Sequence, residues 1–223
     1  MSQAQKKYIA FFDLDKTIID INSGKQLVKQ AYKDKLMGPG DLVNAIIQGY
    51  LYRFSLRDTH LIIASMGNWL KGIPEATVQK LCSEVSGYLI TNNIRPEIIS
   101  EIEFHKSRGG EIIILSSAIN PICEPIGKKI GADNIICSAM ETIDGILTGK
   151  PVGKFCFEEE KRARLIDWCE THSVDLKESW YYADSTADLP ALEAVGNPVC
   201  VSPDRKLSKI ANERGWRIID SKA

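Results

Sequence analysis

The chain has 223 residues, 44% of them hydrophobic, enough for one large domain or for a core that carries a smaller inserted one. Its 28 Lys and Arg against 29 Asp and Glu give a net charge of -1, so nothing in the overall balance favours nucleic acid or an anionic membrane as partner. Six cysteines (Cys82, Cys123, Cys137, Cys156, Cys169, Cys200) form no CxxC pair or His-Cys cluster, which argues against zinc and suits reduced thiols in a cytoplasmic protein.

Lys6 and Lys7 precede an apolar run, Tyr8 to Phe12, too short for a signal peptide or a membrane span. A continuous run of this kind predicts a strand covered on both faces, as in a parallel sheet flanked by helices. It ends abruptly in Asp13 and Asp15, with Thr17 beyond them. That edge of an open α/β sheet is where ligands bind, and alternate residues of an extended chain point to the same side. Two carboxylates so close repel unless a cation lies between them, and Mg²⁺ shared with a phosphate is the usual solution. Asp-x-Asp also serves as a turn or helix cap, so this stretch alone does not decide.

From Asp20 to about Arg95 the apolar residues fall at helical intervals. Leu27, Val28, Ala31 and Tyr32 predict a first helix, ended by Gly38 to Asp41; Val43 to Phe54 predicts a second. Leu61 to Leu70 predicts a third, stopped by Gly72, and Pro74 opens a fourth through Leu89. Four such helices make a small bundle, and their stripes read as packing faces. This stretch has nine Lys or Arg against six Asp or Glu, a mild surplus that suits an anionic substrate and equally a solvated surface.

After Pro96 the α/β alternation resumes. Ile98 to Lys106 predicts a helix, and Glu111 to Leu115 a buried strand that stops at Ser116. Asn120 and Pro121 open the next helix, where Ser116 and backbone N–H groups can cradle a phosphoryl oxygen. Asn134 to Ala139 predicts a strand, and Met140 to Pro151, turning at Asp144-Gly145, a short hairpin. Phe157 to Cys169 reads as a helix with an acidic start and Lys161 in its first turns. Trp180 to Ala183 predicts a strand that ends at Asp184, with a helix beginning near Asp188. Asn197 to Val201 and Trp216 to Ile219 supply two more strands around a helix from Arg205 to Glu213.

Taken in order, DLDKT (Asp13 to Thr17), ILS ending at Ser116, the lysine of EEEKRARL (Lys161) and ADSTADLP (Asp184, Asp188) resemble the four signatures of the haloacid dehalogenase superfamily. The helical insert after the first motif and the tail from Glu193 to Trp216 are similar to the phosphoserine-phosphatase-like branch. The resemblance implies an α/β fold, a Rossmann-like doubly wound, mainly parallel sheet. Residues 1–19 and 96–223 would form the core, and 20–95 an all-helical cap joined near Asp20 to Ser23 and near Asn92 to Pro96.

It also implies a Mg²⁺-dependent phosphomonoester phosphatase acting through an aspartyl-phosphate on a small phosphorylated metabolite, as monomer or homodimer. Asp13 is then the nucleophile, Asp15 the acid and base, and Ser116 and Lys161 the phosphoryl-binding pair. The metal set is Asp13, Asp15 through its backbone carbonyl, Asp184 and Asp188, the last also orienting Lys161. Lys150 and Lys154 are rivals for the Lys161 role. Thr17, Asn22, Ser116, Ser117, Arg53 and Arg57 are the residues expected to face the substrate. Two departures stand out: Asn22 replaces a glutamate that meets the substrate ammonium in phosphoserine phosphatases, and Ser117 and Ala118 replace two glycines. Both weaken phosphoserine as substrate. A phosphotransferase or mutase would use the same aspartyl-phosphate, and a non-catalytic phosphate-binding protein is the remaining alternative. A halide-releasing dehalogenase ranks lower, since it has no need of the full acidic set.

Overall fold

Ile9–Phe12 forms β1 with all four side chains buried. Ile9 and Phe11 enter one hydrophobic core and Ala10 and Phe12 another, so a strand between two cores leaves no alternation in its sequence. A computed structural model describes residues 8–53 and 67–220, and for 49–53 the backbone alone.

Around β1 stand β2 (Glu111–Ile119), β3 (Asn134–Ser138), β6 (Trp180–Ala183), β7 (Asn197–Val201) and β8 (Arg217–Ile219). They make a six-stranded sheet in the order β3-β2-β1-β6-β7-β8, every pair parallel. The chain builds outward from β1 through β2 to β3, then crosses back to β6 and builds the other way. The switch point therefore lies between β1 and β6, where open α/β sheets form their ligand crevice. The second strand is longer than its sequence predicts: β2 continues past Ser116 to Ile119, with a shift of register against β3 between Leu115 and Ile119. The hairpin β4 (Met140–Ile143) and β5 (Ile146–Pro151) stands apart from the sheet. It turns on Asp144 (φ 50) and Gly145 (φ 78), the positive pair that a two-residue hairpin requires.

In the 20–95 stretch lie α1 (Ser23–Lys33), α2 (Pro39–Arg53) and α3 (Glu75–Asn92). Of the third helix expected over 61–70, only a 3₁₀ turn at Asn68–Leu70 falls within the described residues. Next come α4 (Pro96–Ser107), α5 (Asn120–Ile130) and α6 (Glu159–Thr171). The helix expected from Phe157 thus starts at Glu159, after Glu158 takes a positive φ of 47. The helix expected near Asp188 is a 3₁₀ turn, Thr186–Asp188, followed by the short α7 (Leu189–Leu192). The last helix is α8 (Arg205–Arg214).

Helices α1 and α3 are not detached from the sheet. Leu27, Ala31, Val78, Leu81, Val85 and Leu89 share one core with Ala10, Phe12 and Ile112. The two chain crossings run side by side, Asp20 N–H donating to Asn93 O at 2.9 Å and Arg95 N–H to Ile18 O at 2.9 Å. The hairpin adds a third tie: Gly72 N–H to Leu147 O at 2.8 Å, Leu147 N–H to Ile73 O at 3.0 Å and Glu75 N–H to Gly145 O at 2.9 Å. By contrast, Val43, Ile46 and Ile47 on α2 are exposed.

Gly67 tests the hairpin contact. Its φ of -84 suits any residue, so an added methyl group acts only through space. That Cβ would lie 2.8 Å from the Gly149 carbonyl oxygen and 2.7 Å from Met140 Cε. Gly67→Ala should therefore lose about 1–3 kcal/mol in urea unfolding through overpacking. An unchanged midpoint would show that the hairpin contact contributes nothing to stability.

Candidate active site

Asp13 follows β1 directly and is fixed by its own backbone, its N–H donating to Tyr182 O on β6 at 2.9 Å. Its carboxylate meets Lys161, which reaches in from the first turn of α6 and is buried there. The Lys161 ammonium donates to Asp13 Oδ1 at 2.7 Å, to Asp188 Oδ1 at 2.6 Å and to the Tyr181 hydroxyl at 3.3 Å. Asp188 takes two further donors: the Tyr181 hydroxyl donates to Oδ1 at 2.6 Å and Ser185 Oγ to Oδ2 at 2.9 Å. Asp13, Asp184 and Asp188 are all buried, and one carboxylate oxygen from each lies within 4.8 Å of the others. Lys150 and Lys154 are exposed and touch none of this group.

Asp184 follows β6 as Asp13 follows β1. Its backbone carbonyl accepts from Asp204 N–H at 2.8 Å. Asp204 caps α8 through Lys206 and Leu207 N–H, both at 2.9 Å, and also takes Thr186 N–H at 2.7 Å. One carboxylate thus clamps the 184–188 loop to the start of a helix. On the open side, Lys16, held at a positive φ of 58, brings its ammonium to 3.7 Å from Asp184 Oδ2.

Asp15 points elsewhere. Ser23 N–H donates to its Oδ1 at 2.8 Å and Asn22 Nδ2 to its Oδ2 at 2.9 Å, so the carboxylate stands outside the buried trio. Asn22 caps α1 as well, its Oδ1 accepting from Lys25 N–H at 2.9 Å. Ser116 is fully buried where β2 loses register, with Ala118 N–H on its Oγ at 3.2 Å. Ser117 has its carbonyl taken by Ser138 Oγ at 2.9 Å. The hydroxyl of Thr17 is buried without a hydrogen-bond partner among the described residues. The Arg53 side chain and Arg57 lie outside the described residues.

Burial and negative charge dominate the electrostatics. Burial raises the Asp13 carboxyl well above the carboxylate range, Lys161 pulls it back only in part, and Asp188 and Asp184 push it further up. Burial, with Asp188 next, pushes Asp184 up to about 7. Asp15 is raised by burial, against the bonds from Ser23. Burial works against the Lys161 ammonium, but Asp13 and Asp188 outweigh it and keep the lysine charged. The trio is short of positive charge, and its hard oxygen donors fit a small divalent cation such as Mg²⁺. Asp13, Asp184 and Asp188 each have an oxygen to offer such an ion, and both Asp188 oxygens also bind protein donors.

Tyr181, Asp204 and Ser23 escape a motif reading because they lie outside the motifs, and Ser185 and Thr186 lie inside ADSTADLP without being singled out by it. Tyr181 did carry a signal: a tyrosine inside a strand buried on both faces must find a partner for its hydroxyl.

The Asp184 shift fixes a sign. From an ordinary 3.8 to about 7, the folded protein holds a proton that the unfolded chain has released. The stability this supplies is complete below the lower value and is lost as pH rises through 7. In chelator-treated protein, Asp184→Asn should therefore raise the melting temperature by several degrees at pH 8, with the gain fading by pH 5. An equal gain at both pH values would contradict the shift.

Comparison with known proteins places the chain in a family. Residues 10–193 match the haloacid dehalogenase-like hydrolase pattern. The "Inhibition of morphological differentiation protein" of Streptomyces azureus is 32% identical over 95% of this chain and 77% of its own length. A histidinol-phosphatase of Neisseria meningitidis serogroup C is 28% identical over 97% of this chain and 100% of its own. A phosphoserine phosphatase solved as a phospho-aspartyl intermediate analogue superposes with a TM-score of 0.71 at 18% identity, over 97% of this chain and 94% of that one. The chain belongs to the haloacid dehalogenase-like hydrolase family.

Proposed function

We propose that the protein is a Mg²⁺-dependent phosphomonoesterase working through a phosphoaspartate on Asp13. The observation that carries this reading is the Lys161 ammonium bound to one oxygen of Asp13 and steadied by Asp188, at the switch point of the sheet. That bond leaves the second Asp13 oxygen to attack phosphorus. As the new P–O bond forms, the ester P–O bond breaks and Asp15 gives its proton to the departing alkoxide. Asp15 then takes a proton from water, whose oxygen attacks the phosphoaspartate and releases inorganic phosphate, restoring Asp13. Lys161 and Ser116 would hold the phosphoryl oxygens, giving the charge stabilisation that phosphoryl transfer depends on. Mg²⁺, held by Asp13, Asp184 and the backbone carbonyl of Asp15 with Asp188 behind them, would neutralise the repulsion between phosphate and carboxylate.

We also assign 1–19 and 96–223 to the core and 20–95 to a helical cap above it, supported by the paired crossings at Asp20 and Asn93. The substrate would be a small alkyl phosphate. The neutral Asn22 amide carries no charge to meet a substrate ammonium, and its oxygen already caps Lys25 N–H while its NH₂ holds Asp15, which removes a basis for selecting phosphoserine strongly.

Asp13→Asn should lower turnover of p-nitrophenyl phosphate by at least about a thousandfold, and chelation of Mg²⁺ should abolish it reversibly. Activity of the folded variant within about tenfold of wild type, a barrier change of roughly 1.4 kcal/mol, would refute the nucleophile. Across phosphoserine, phosphoethanolamine, histidinol phosphate and glycerol phosphate, kcat/KM should spread by less than about a hundredfold, the span that one charge-assisted hydrogen bond supplies. A larger preference for phosphoserine would mean that another acidic residue reads its ammonium.

A further inference from the structure

We propose that Asn22 is a positioning residue for Asp15 and takes no part in reading the substrate. The inference rests on the function proposed above, in which Asp15 moves the proton. Both ends of the Asn22 amide are engaged by the protein: Oδ1 accepts from Lys25 N–H at 2.9 Å and Nδ2 donates to Asp15 Oδ2 at 2.9 Å. The cap bond settles which way the amide points, because a flipped amide would set its NH₂ against the Lys25 N–H and its oxygen against a carboxylate. Ser23 N–H supplies the second tie, to Asp15 Oδ1 at 2.8 Å.

Both oxygens of Asp15 are therefore gripped by the first turn of α1. The cap of the helix and the support of the carboxylate are one device. Proton transfer to a leaving oxygen needs its donor within hydrogen-bond reach, and a misplacement of about 1 Å can cost on the order of a hundredfold in rate. Asp15 needs such a hold because it stands apart from the buried trio, with Lys16 following it on an exposed turn. Because α1 begins the 20–95 stretch, the grip also ties the proton-transfer group to the first helix of that stretch.

Asn22→Ser separates the two roles of the amide. Serine caps a helix about as well as asparagine, so α1 should keep its start, but a short hydroxyl capping Lys25 N–H cannot also reach Asp15. The experiment measures kcat/KM, which ends at departure of the leaving group, for glycerol phosphate, phosphoserine and p-nitrophenyl phosphate, together with the melting temperature. An alkoxide needs the proton from Asp15; p-nitrophenolate leaves without it. The expected result is a loss of about tenfold or more on both alkyl esters, against less than about threefold on the aryl ester, at an unchanged melting temperature. An equal loss on all three would overturn the proposal in favour of a general structural role. A loss confined to phosphoserine would overturn it in favour of substrate reading, and no loss on any would overturn it outright. Wild type inactive on all three substrates would instead refute the proposed function, and this inference with it.

Discussion

A single ammonium, that of Lys161, stands among three buried carboxylates, and the architecture around it follows from that imbalance. A carboxylate taken out of water needs a counter-charge and hydrogen bonds for its lone pairs, or it takes up a proton. Asp188 is satisfied by Lys161, Tyr181 and Ser185, which makes it a fixed anchor for the lysine. Asp13 shares the lysine and Asp184 meets the exposed Lys16 at 3.7 Å, and these are the two whose carboxyls rise most clearly above their ordinary range. The site stores repulsion that a divalent cation would relieve, as functional sites commonly do at a cost in stability.

The sheet supplies the convergence. Parallel strands on either side of the switch point end at the same edge, so Asp13 and Asp184 come together although 170 residues separate them. Their backbones are pinned by bonds that do not involve the carboxylates, from Asp13 N–H to Tyr182 O and from Asp204 N–H to Asp184 O. Asp204 extends that hold by capping α8 while clamping Thr186, which ties the 184–188 loop to the start of that helix.

The helical stretch after the first motif is joined to this frame more closely than a flap on two hinges. Its α1 and α3 share a core with the sheet, and the β4–β5 hairpin binds residues 72–75 through three backbone hydrogen bonds. α1 also reaches the chemistry directly, since its first turn holds both oxygens of Asp15.

Sequence alone determined the strands and most of the helices, because their signals are local: an apolar run between two cores, a helical stripe, an Asp-Gly turn. It also gave the order of Asp13, Ser116, Lys161, Asp184 and Asp188, which motif spacing carries. It placed Asn22 by position among residues facing the substrate, and the bonds of its amide to Asp15 and Lys25 are visible only in the folded chain. The extent of β2 beyond Ser116, the later start of α6, the hairpin contact with 72–75, and the roles of Tyr181, Ser185 and Asp204 were likewise decided only in three dimensions. The physical reason is common to all of them. A side chain's hydrogen-bonding partner is set by which distant backbone and side-chain groups the packed sheet brings within about 3 Å, and no local pattern of residues encodes that.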